Sequence, residues 1–282
     1  MMTVRAELLG LVEAVAEQVE LPPINWVYIP EPDPGPGRHT EFGIVTLRDG
    51  SAGLYYAWLG DSQKGMGSRY EPGEFSGRHP LELARYCAGT DEADCSLGMA
   101  AVNAITRYVF RQADFTPVDA QDSMGILDIA ASDHVGMVGY FPSLVKRLRN
   151  NGIRLTVIEK KSQFHKAQEN FLVSADMQTL DGCNKVMITA STLLNNSIDE
   201  VLEYSHGAQK KVIIGPTAGF FPDPLFARGI SAIGGSEIRS AQQARQRLST
   251  KQGLGESARK FLISAQDYPG LEQIMQEIKG SE

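Results

Sequence analysis

Residues 134–142 read HVGMVGYFP, an apolar run that ends in a glycine turn and a proline. A short apolar run of this kind is typical of a buried strand, and a proline at this point suits the first turn of a helix. Similar apolar runs alternate with segments of helical pattern further along the chain; they span 153–159, 185–190, 210–215 and 230–235. Strands that alternate with helices in this way predict a parallel sheet that is covered on both faces.

The N-terminal part of the chain has a different pattern. Its opening residues place apolar side chains at three- and four-residue steps, which predicts an amphipathic helix, and residues 24–30 are predicted as a strand. Asp49-Gly50 lies between two β-rich apolar runs and predicts a hairpin. Helices are expected to begin at Pro80 and near residue 92. This order of elements predicts a small α+β unit.

The two patterns divide the chain into an α+β domain over 1–115 and an α/β domain over 116–282 that ends in C-terminal helices. The alternating prolines of 30–37 forbid regular strand pairing there. Ser197 and Glu200 have the spacing of a capping box, which predicts the start of a helix. The last thirty residues are expected to be helical.

Composition excludes several classes of protein. The 282 residues include 27 Lys and Arg against 34 Asp and Glu, a net charge of −7, which argues against a nucleic-acid partner. Three cysteines are too few for a disulfide framework and favour a reducing compartment. No signal peptide or membrane-spanning run is predicted. We therefore expect a cytoplasmic protein without a membrane partner, with a homodimer as the default assembly.

Ligands of open α/β sheets bind beyond the carboxyl ends of the strands, near the point where the strand order reverses. The residues at the predicted strand ends are glycine, short polar or acidic residues and one aromatic pair, so a ligand can approach backbone amides there. Tight turns between strands and helices need glycine for purely structural reasons, and that explanation stays open. The candidate residues are Gly139, Tyr140, Phe141, Glu159, Ser191, Thr192, Asn195, Gly215, Pro216 and Thr217.

A conventional dinucleotide site is not expected at the first of these turns. The glycine-rich motif needs three glycines, whereas Gly136 and Gly139 supply only part of it, and the bulky Tyr140 and Phe141 follow. Glu159 does stand where a ribose-binding acid would, about 20 residues after a dinucleotide turn. The Tyr-Phe pair fits either stacking on a flat ligand or packing in the core.

Metal ligation and nucleophilic catalysis lack a sequence signature. The histidines are scattered, and no His-x-x-His or Cys-x-x-Cys spacing occurs. The acidic segment 90–95 contains Cys95, but the acidic first turn of a helix explains it. A metal would have to arrive with a chelating ligand or bind at a site assembled from distant residues. No G-x-S-x-G elbow is present, and Ser191-Thr192 has no base beside it in the sequence, so enzymatic activity stays open.

Several segments, taken in order, resemble a family of prokaryotic proteins described as putative heavy-metal chelation proteins. They are GLYY (53–56), LGMAAVNA (97–104), VGMVGYFP (135–142), Glu159, ITASTLLNNS (188–197) and IGPT (214–217). The resemblance implies an N-terminal domain like the small domain of enolases, followed by a Rossmann-like domain. It also implies metal or metallophore handling, without naming a reaction.

The preferred hypothesis is a protein of metal homeostasis or metal-chelate handling that binds a small anionic or chelating ligand in the interdomain cleft. Ser191, Thr192, Asn195 and the 215–217 turn would hold the ligand, Tyr140 and Phe141 would wall it, and Glu159 would bind a hydroxyl or amine. Asn103 is a candidate from the N-terminal domain, or else a buried amide satisfied by backbone groups. The expected cofactor is a metal ion or metal chelate, with a nucleotide-type cofactor second. The alternatives are a biosynthetic enzyme that uses a nucleotide-like cofactor in the same cleft, and a binding module that delivers its ligand to a partner.

Overall fold

The computed structural model describes residues 2–31, 42–57, 62–71, 73–120 and 127–280. Residues 32–37 of the proline-rich segment lie outside these ranges. Within them, no helix is both long enough and apolar enough to cross a lipid bilayer.

A three-stranded antiparallel sheet and a long helix form the N-terminal part of the fold. The predicted Asp49-Gly50 hairpin is confirmed: Gly50 has φ +91°, and the Asp49 carboxylate accepts the Ser51 N–H at 3.1 Å. The strands are β1 (Ile24–Tyr28), β2 (Phe42–Leu47) and β3 (Ala52–Tyr56), in that order in the sheet. The helices are α1 (Val4–Ala16), α2 (Ser62–Arg69), α3 (Pro80–Ala84) and α4 (Glu92–Gln112).

A large mixed sheet forms the rest of the fold and is built, within the described ranges, from nine strands. They are β4 (Val118–Asp119), β5 (His134–Val138), β6 (Arg154–Ile158), β7 (Lys166–Gln168), β8 (Phe171–Ser174), β9 (Lys185–Thr189), β10 (Lys210–Ile214), β11 (Ala232–Ile238) and β12 (Ala258–Ser264). The helices that accompany them are α5 (Pro142–Asn150), α6 (Ser191–Leu194), α7 (Ile198–Tyr204), α8 (Asp223–Phe226), α9 (Ala241–Ser249) and α10 (Leu271–Gly280).

The strand order confirms the predicted parallel core. From β8 through β6, β5, β9 and β10 to β11, all neighbouring strands run parallel, whereas β12, β4 and β7 pair antiparallel at the two margins. Within the parallel part of the sheet, the chain runs from β5 outward to β6 and β8 and then returns to β9 on the other side of β5. This is the strand order of a Rossmann-like fold, and it places the reversal between β5 and β9.

The prediction for the last thirty residues is wrong over 258–264, which form β12 along β11 rather than helix. Strands β4, β7 and β8 were not predicted. The capping box is also wrong, because the Ser197 side chain does not cap α7 and instead donates to Asn195 at 2.7 Å. Helix α7 nevertheless begins where the sequence placed it.

Helix α4 lies in the core between the two sheets. Gly53 lets β3 approach it closely, since a Cβ at this position would lie 2.0 Å from the Ala100 carbonyl oxygen. One buried apolar cluster joins α4 to residues of β9, β10 and β11. Two polar contacts join helix α1 to the part of the fold that contains the large sheet. The Val4 N–H donates to Asp199 of α7 at 3.1 Å, and Arg228, just after α8, pairs with Glu7 at 2.6 Å. The proposed domain boundary after residue 115 stays a prediction.

Candidate functional site

A narrow cavity of about 30 Å³ separates β3 and α4 from the carboxyl ends of β10 and β11. We call it the α4 cleft. Its polar lining consists of Asn103, Arg107, Ser236 and Glu237, and its apolar lining includes Phe110, Phe261 and Pro216. This volume has room for a water molecule, whereas small-molecule pockets usually measure about 300–1,000 Å³.

Asn103 lies at the α4 cleft and has one unpaired, fully buried side-chain oxygen. Its Nδ2 donates to two backbone carbonyls, that of Leu54 at 3.0 Å and that of Thr217 at 2.9 Å. Both partners are acceptors, so the amide cannot be turned around without losing both bonds. Its Oδ1 is buried and has no hydrogen-bond partner among the described residues. An acceptor left in this state costs about 1–3 kcal/mol, which a ligand or a water molecule can recover.

Two glycines bring the backbone up to Asn103 from opposite sides. A Cβ at Gly53 would lie 2.8 Å from the Asn103 Cβ, and one at Gly219 would lie 3.3 Å from it. Gly53 belongs to β3, whereas Gly219 belongs to the turn after β10. The amide of Asn103 therefore joins the three-stranded sheet to the large sheet at the cleft.

An ion cluster lies beside Asn103 at the same cleft. Glu237 contacts Arg107 and Arg259 at 2.5 Å each, and Arg259 also reaches Asp119 at 2.8 Å. Burial lowers the pKa of Arg107, and the Glu237 carboxylate opposes that change. The buried part of the cluster thus holds two guanidinium groups against one carboxylate, because the Asp119 side chain is 71% exposed. Asp119 supplies the second negative charge, so the cluster as a whole is neutral.

The aromatic residues predicted as candidates directly follow β5, at the strand reversal between β5 and β9. Gly139 has φ +90°, and a Cβ there would lie 3.0 Å from the Thr189 methyl group, so backbone and packing both require glycine. The Tyr140 ring stacks on Phe164 with 4.9 Å between centroids and 21° between planes. Phe141 precedes α5 as its N-terminal cap residue. Glu159 accepts the Lys161 N–H at 3.0 Å and so closes a local turn.

The polar residues after β9 are engaged within their own turn. The buried Thr192 hydroxyl donates to the Thr189 carbonyl at 2.8 Å. Asn195 accepts both the N–H and the hydroxyl of Ser197, and Ser191 accepts the Thr189 hydroxyl at 3.3 Å. These bonds shape the start of α6 and α7. A ligand role for this group stays a prediction.

The candidate residues therefore fall at two places rather than one. Asn103, Pro216 and Thr217 meet at the α4 cleft, and Gly215 begins the turn that carries the last two. The other candidates surround the strand reversal. Sequence reasoning missed Arg107, Glu237 and Phe164; the first was recognisable only by its position one helical turn after Asn103.

The described ranges contain no preformed site for a bare metal ion. No group of three or more His, Cys, Asp or Glu side chains there could hold one. Cys87, Cys95 and Cys183 are all free and buried. The acidic segment 90–95 has the structural role expected for it, since Asp91 caps α4 by accepting the Ala93 and Asp94 N–H groups at 3.0 and 3.1 Å.

Comparisons with known proteins agree with the sequence resemblance and the fold. Residues 122–263 match the family model of DUF364, described as putative heavy-metal chelation. The uncharacterized protein MJ0500 of Methanocaldococcus jannaschii is 26% identical over 156 residues, which cover 55% of this chain and 58% of that protein. The match thus spans less than two thirds of the curated relative.

Two crystal structures share the fold. One is a DUF364 protein with unknown function from Desulfitobacterium hafniense DCB-2, with 17% identity and a TM-score of 0.66 over 91% of this chain and 98% of that one. The other is the DUF364 protein PH1506 of Pyrococcus horikoshii, with 19% identity and a TM-score of 0.64 over 91% and 99%. The family match covers half of the sequence, including all of the parallel core strands, and the chain belongs to the DUF364 family.

Proposed function

We propose that this protein binds a small anionic organic ligand at Arg107, beside the α4 cleft, and handles it as a metal chelate. The observation that carries the proposal is Arg107, which lines the cleft and keeps 23% of its side chain exposed, because an accessible guanidinium favours an anionic ligand. The family's description supports the link to metals.

In this proposal the metal binds to the protein as a complex with an organic chelator and not as a bare ion. The described side chains form no cluster that would hold a bare ion, and the Arg107 guanidinium at the cleft repels a free cation. A metal bound by an organic anion has neither difficulty, since its ligands neutralise it and carry their own polar groups.

Thermal denaturation with matched ligands tests the proposal. Zn²⁺, Ni²⁺ and Fe³⁺ are added alone and as citrate complexes, and only the complexes should raise the melting temperature. A ligand at a hundred times its Kd adds about 2.7 kcal/mol, or roughly 5–10 °C for a chain of this size. Arg107→Gln should remove the shift, whereas Arg85→Gln, at an exposed arginine that pairs with Glu13 of α1, should leave it unchanged. The proposal fails if no complex stabilises the protein or if a bare metal ion binds equally well.

A second candidate function rests on a different observation, the stacked Tyr140–Phe164 pair at the strand reversal. Phe164 is 37% exposed, and Lys146 and Arg149 line a groove beside Tyr140. A flat anion such as a nucleotide would stack there and pair with these cations, as expected for an enzyme with a nucleotide-like cofactor. Titration with AMP and ATP tests it: Phe164→Ala should weaken binding, and the control Val118→Ala, at another exposed apolar residue, should not. Equal binding by both variants, or none by the unaltered protein, removes this candidate.

A further inference from the structure

We propose that the surface between α5 and β7 binds single-stranded nucleic acid. The phosphates pair with Lys146, Arg149 and Lys166, which we call the basic groove, and a base stacks on Phe164 beside it. This inference rests on the aromatic pair of the second candidate function and names a polymer, rather than a mononucleotide, as the partner.

The positive charge of the chain is concentrated in one segment. Residues 142–168 hold seven of the 27 Lys and Arg but only one of the 34 Asp and Glu, so the net charge of −7 arises from the rest of the sequence. All seven basic residues are exposed. A negative net charge argues against a nucleic-acid partner only if the charge is evenly spread, because a local basic stripe is enough to bind a phosphate backbone.

The fold brings three of these basic residues to one groove. Lys146 and Arg149 of α5 line, together with Tyr140, a space of about 350 Å³. Arg149 donates to Gln168 of β7 at 3.0 Å. Lys166 points to the same face of the sheet as Gln168, because alternate residues of a strand share a face. The space is more than ten times larger than the α4 cleft, so it has room for a ligand that the cleft does not.

The cations of the basic groove are available to a ligand. None of the three pairs with a carboxylate of the residues that the structure describes. Arg149 is also held in place, since its guanidinium carbon lies 4.3 Å from the centroid of the Phe171 ring. A guanidinium that is already fixed loses little side-chain entropy when it binds a phosphate.

An aromatic surface beside these cations favours a single strand over other anionic polymers. Phe164 stacks on Tyr140 with 4.9 Å between ring centroids, and 37% of its surface is exposed. Unpaired bases stack on such rings whatever their sequence, whereas the bases of a duplex are already stacked on one another. A polyglutamate chain has no flat group to stack. A single strand therefore uses both the cations and the ring.

Fluorescence anisotropy with labelled 12-mers of oligo(dT) and oligo(rU) tests the inference on the full chain. With three phosphates paired, the slope of log K against log salt should be about −2, or a roughly 20-fold loss of affinity from 50 to 200 mM NaCl. Lys146→Gln and Lys166→Gln should each reduce the slope by about 0.7. The charge-matched control Lys279→Gln, at an exposed residue of α10 on the other face of the large sheet, should leave it unchanged.

Phe164→Ala tests the stacking separately from the charge. It should weaken binding of the 12-mers about fivefold or more while leaving the salt slope unchanged, because it removes the ring and no cation. Tight binding of either 12-mer supports the inference, and the tighter one identifies RNA or DNA as the natural source.

The outcomes separate this inference from the second candidate function. If AMP binds as tightly as the 12-mers, the second candidate stands and the polymer is overturned as the partner. If a duplex or a polyglutamate of equal length binds as tightly as the 12-mers, the groove is a general anion surface and the inference is again overturned. If neither the 12-mers nor AMP and ATP bind, both fail. These comparisons use the unaltered protein, so they hold even if a variant does not fold.

Discussion

Replacing Asn103 with alanine tests the central structural claim, that one amide joins the two sheets. The substitution removes two donated hydrogen bonds, to the carbonyls of Leu54 and Thr217, at a residue that is 3% exposed. Each carbonyl left without its partner costs about 1–3 kcal/mol. Loss of the unpaired Oδ1 returns a similar amount once. The net expectation is a loss of about 1–3 kcal/mol in the free energy of unfolding.

Urea denaturation measures this change directly, and thermal unfolding should show a decrease of about 2–4 °C per kcal/mol. Gln112→Ala, at the exposed last residue of the same helix, is the matched control and should change stability by less than about 0.5 kcal/mol. Asn103→Asp should be worse than alanine at neutral pH, because it turns a carboxylate oxygen toward two carbonyls. A value for Asn103→Ala within 0.5 kcal/mol of the unaltered protein would refute the account of the amide.

Further predictions concern residues away from Asn103, each followed by urea or acid denaturation. Hydrogen bonding from Lys185 is the main reason that the pKa of the Asp133 carboxyl lies at about 2, below its ordinary value of about 3.9. Stability that depends on this carboxylate is present above about pH 4 and is lost as the pH falls toward 2, so Asp133→Asn should flatten that part of the acid-unfolding curve. Thr192→Val should cost about 1 kcal/mol through its buried hydroxyl without changing ligand affinity, and a large loss of affinity would contradict the turn role described for it. Gly139→Ala should cost about 1–3 kcal/mol because φ is +90°, and a neutral result would show that the turn rearranges freely. Glu237→Gln leaves Arg107 without the carboxylate it pairs with, while Arg259 keeps Asp119, and should cost about 3 kcal/mol; a smaller loss in 1 M salt than in dilute buffer would indicate that solvent ions reach and screen the cluster.

Local sequence pattern was sufficient for the parts of the fold that have local causes. The Asp49-Gly50 turn and the apolar runs of the parallel strands depend on neighbouring residues, and the structure has them where the pattern placed them. Strand β12 depends on a partner instead: only Phe261 and Ile263 of its seven residues are buried, too short an alternation to be recognised without β11 beside it. Ser197 failed as a cap because Asn195, two residues earlier, competes for the same hydroxyl.

The candidate site was predictable only in part, for a similar reason. The rule that ligands bind beyond the carboxyl ends of parallel strands predicted Pro216 and Thr217. Asn103 was recognisable as an amide on an otherwise apolar helix face. Glu237 carries no local signal, because its partner Arg107 is 130 positions away in the sequence. The pairing of Phe164 with Tyr140 depends on a loop that returns over the end of the sheet.

The contacts of α1 with residues late in the sequence have a consequence for how the protein is synthesised. Arg228 contacts Glu7 across 221 positions of sequence, and Asp199 holds the Val4 N–H across 195. At about 5–20 residues per second, a ribosome needs roughly 10–45 s to pass from the first of these residues to the last. The first helix thus emerges long before its binding partners are synthesised, with Leu8 and Val12 of its apolar face still uncovered. During that interval the nascent chain offers a natural target for a chaperone that holds short amphipathic segments.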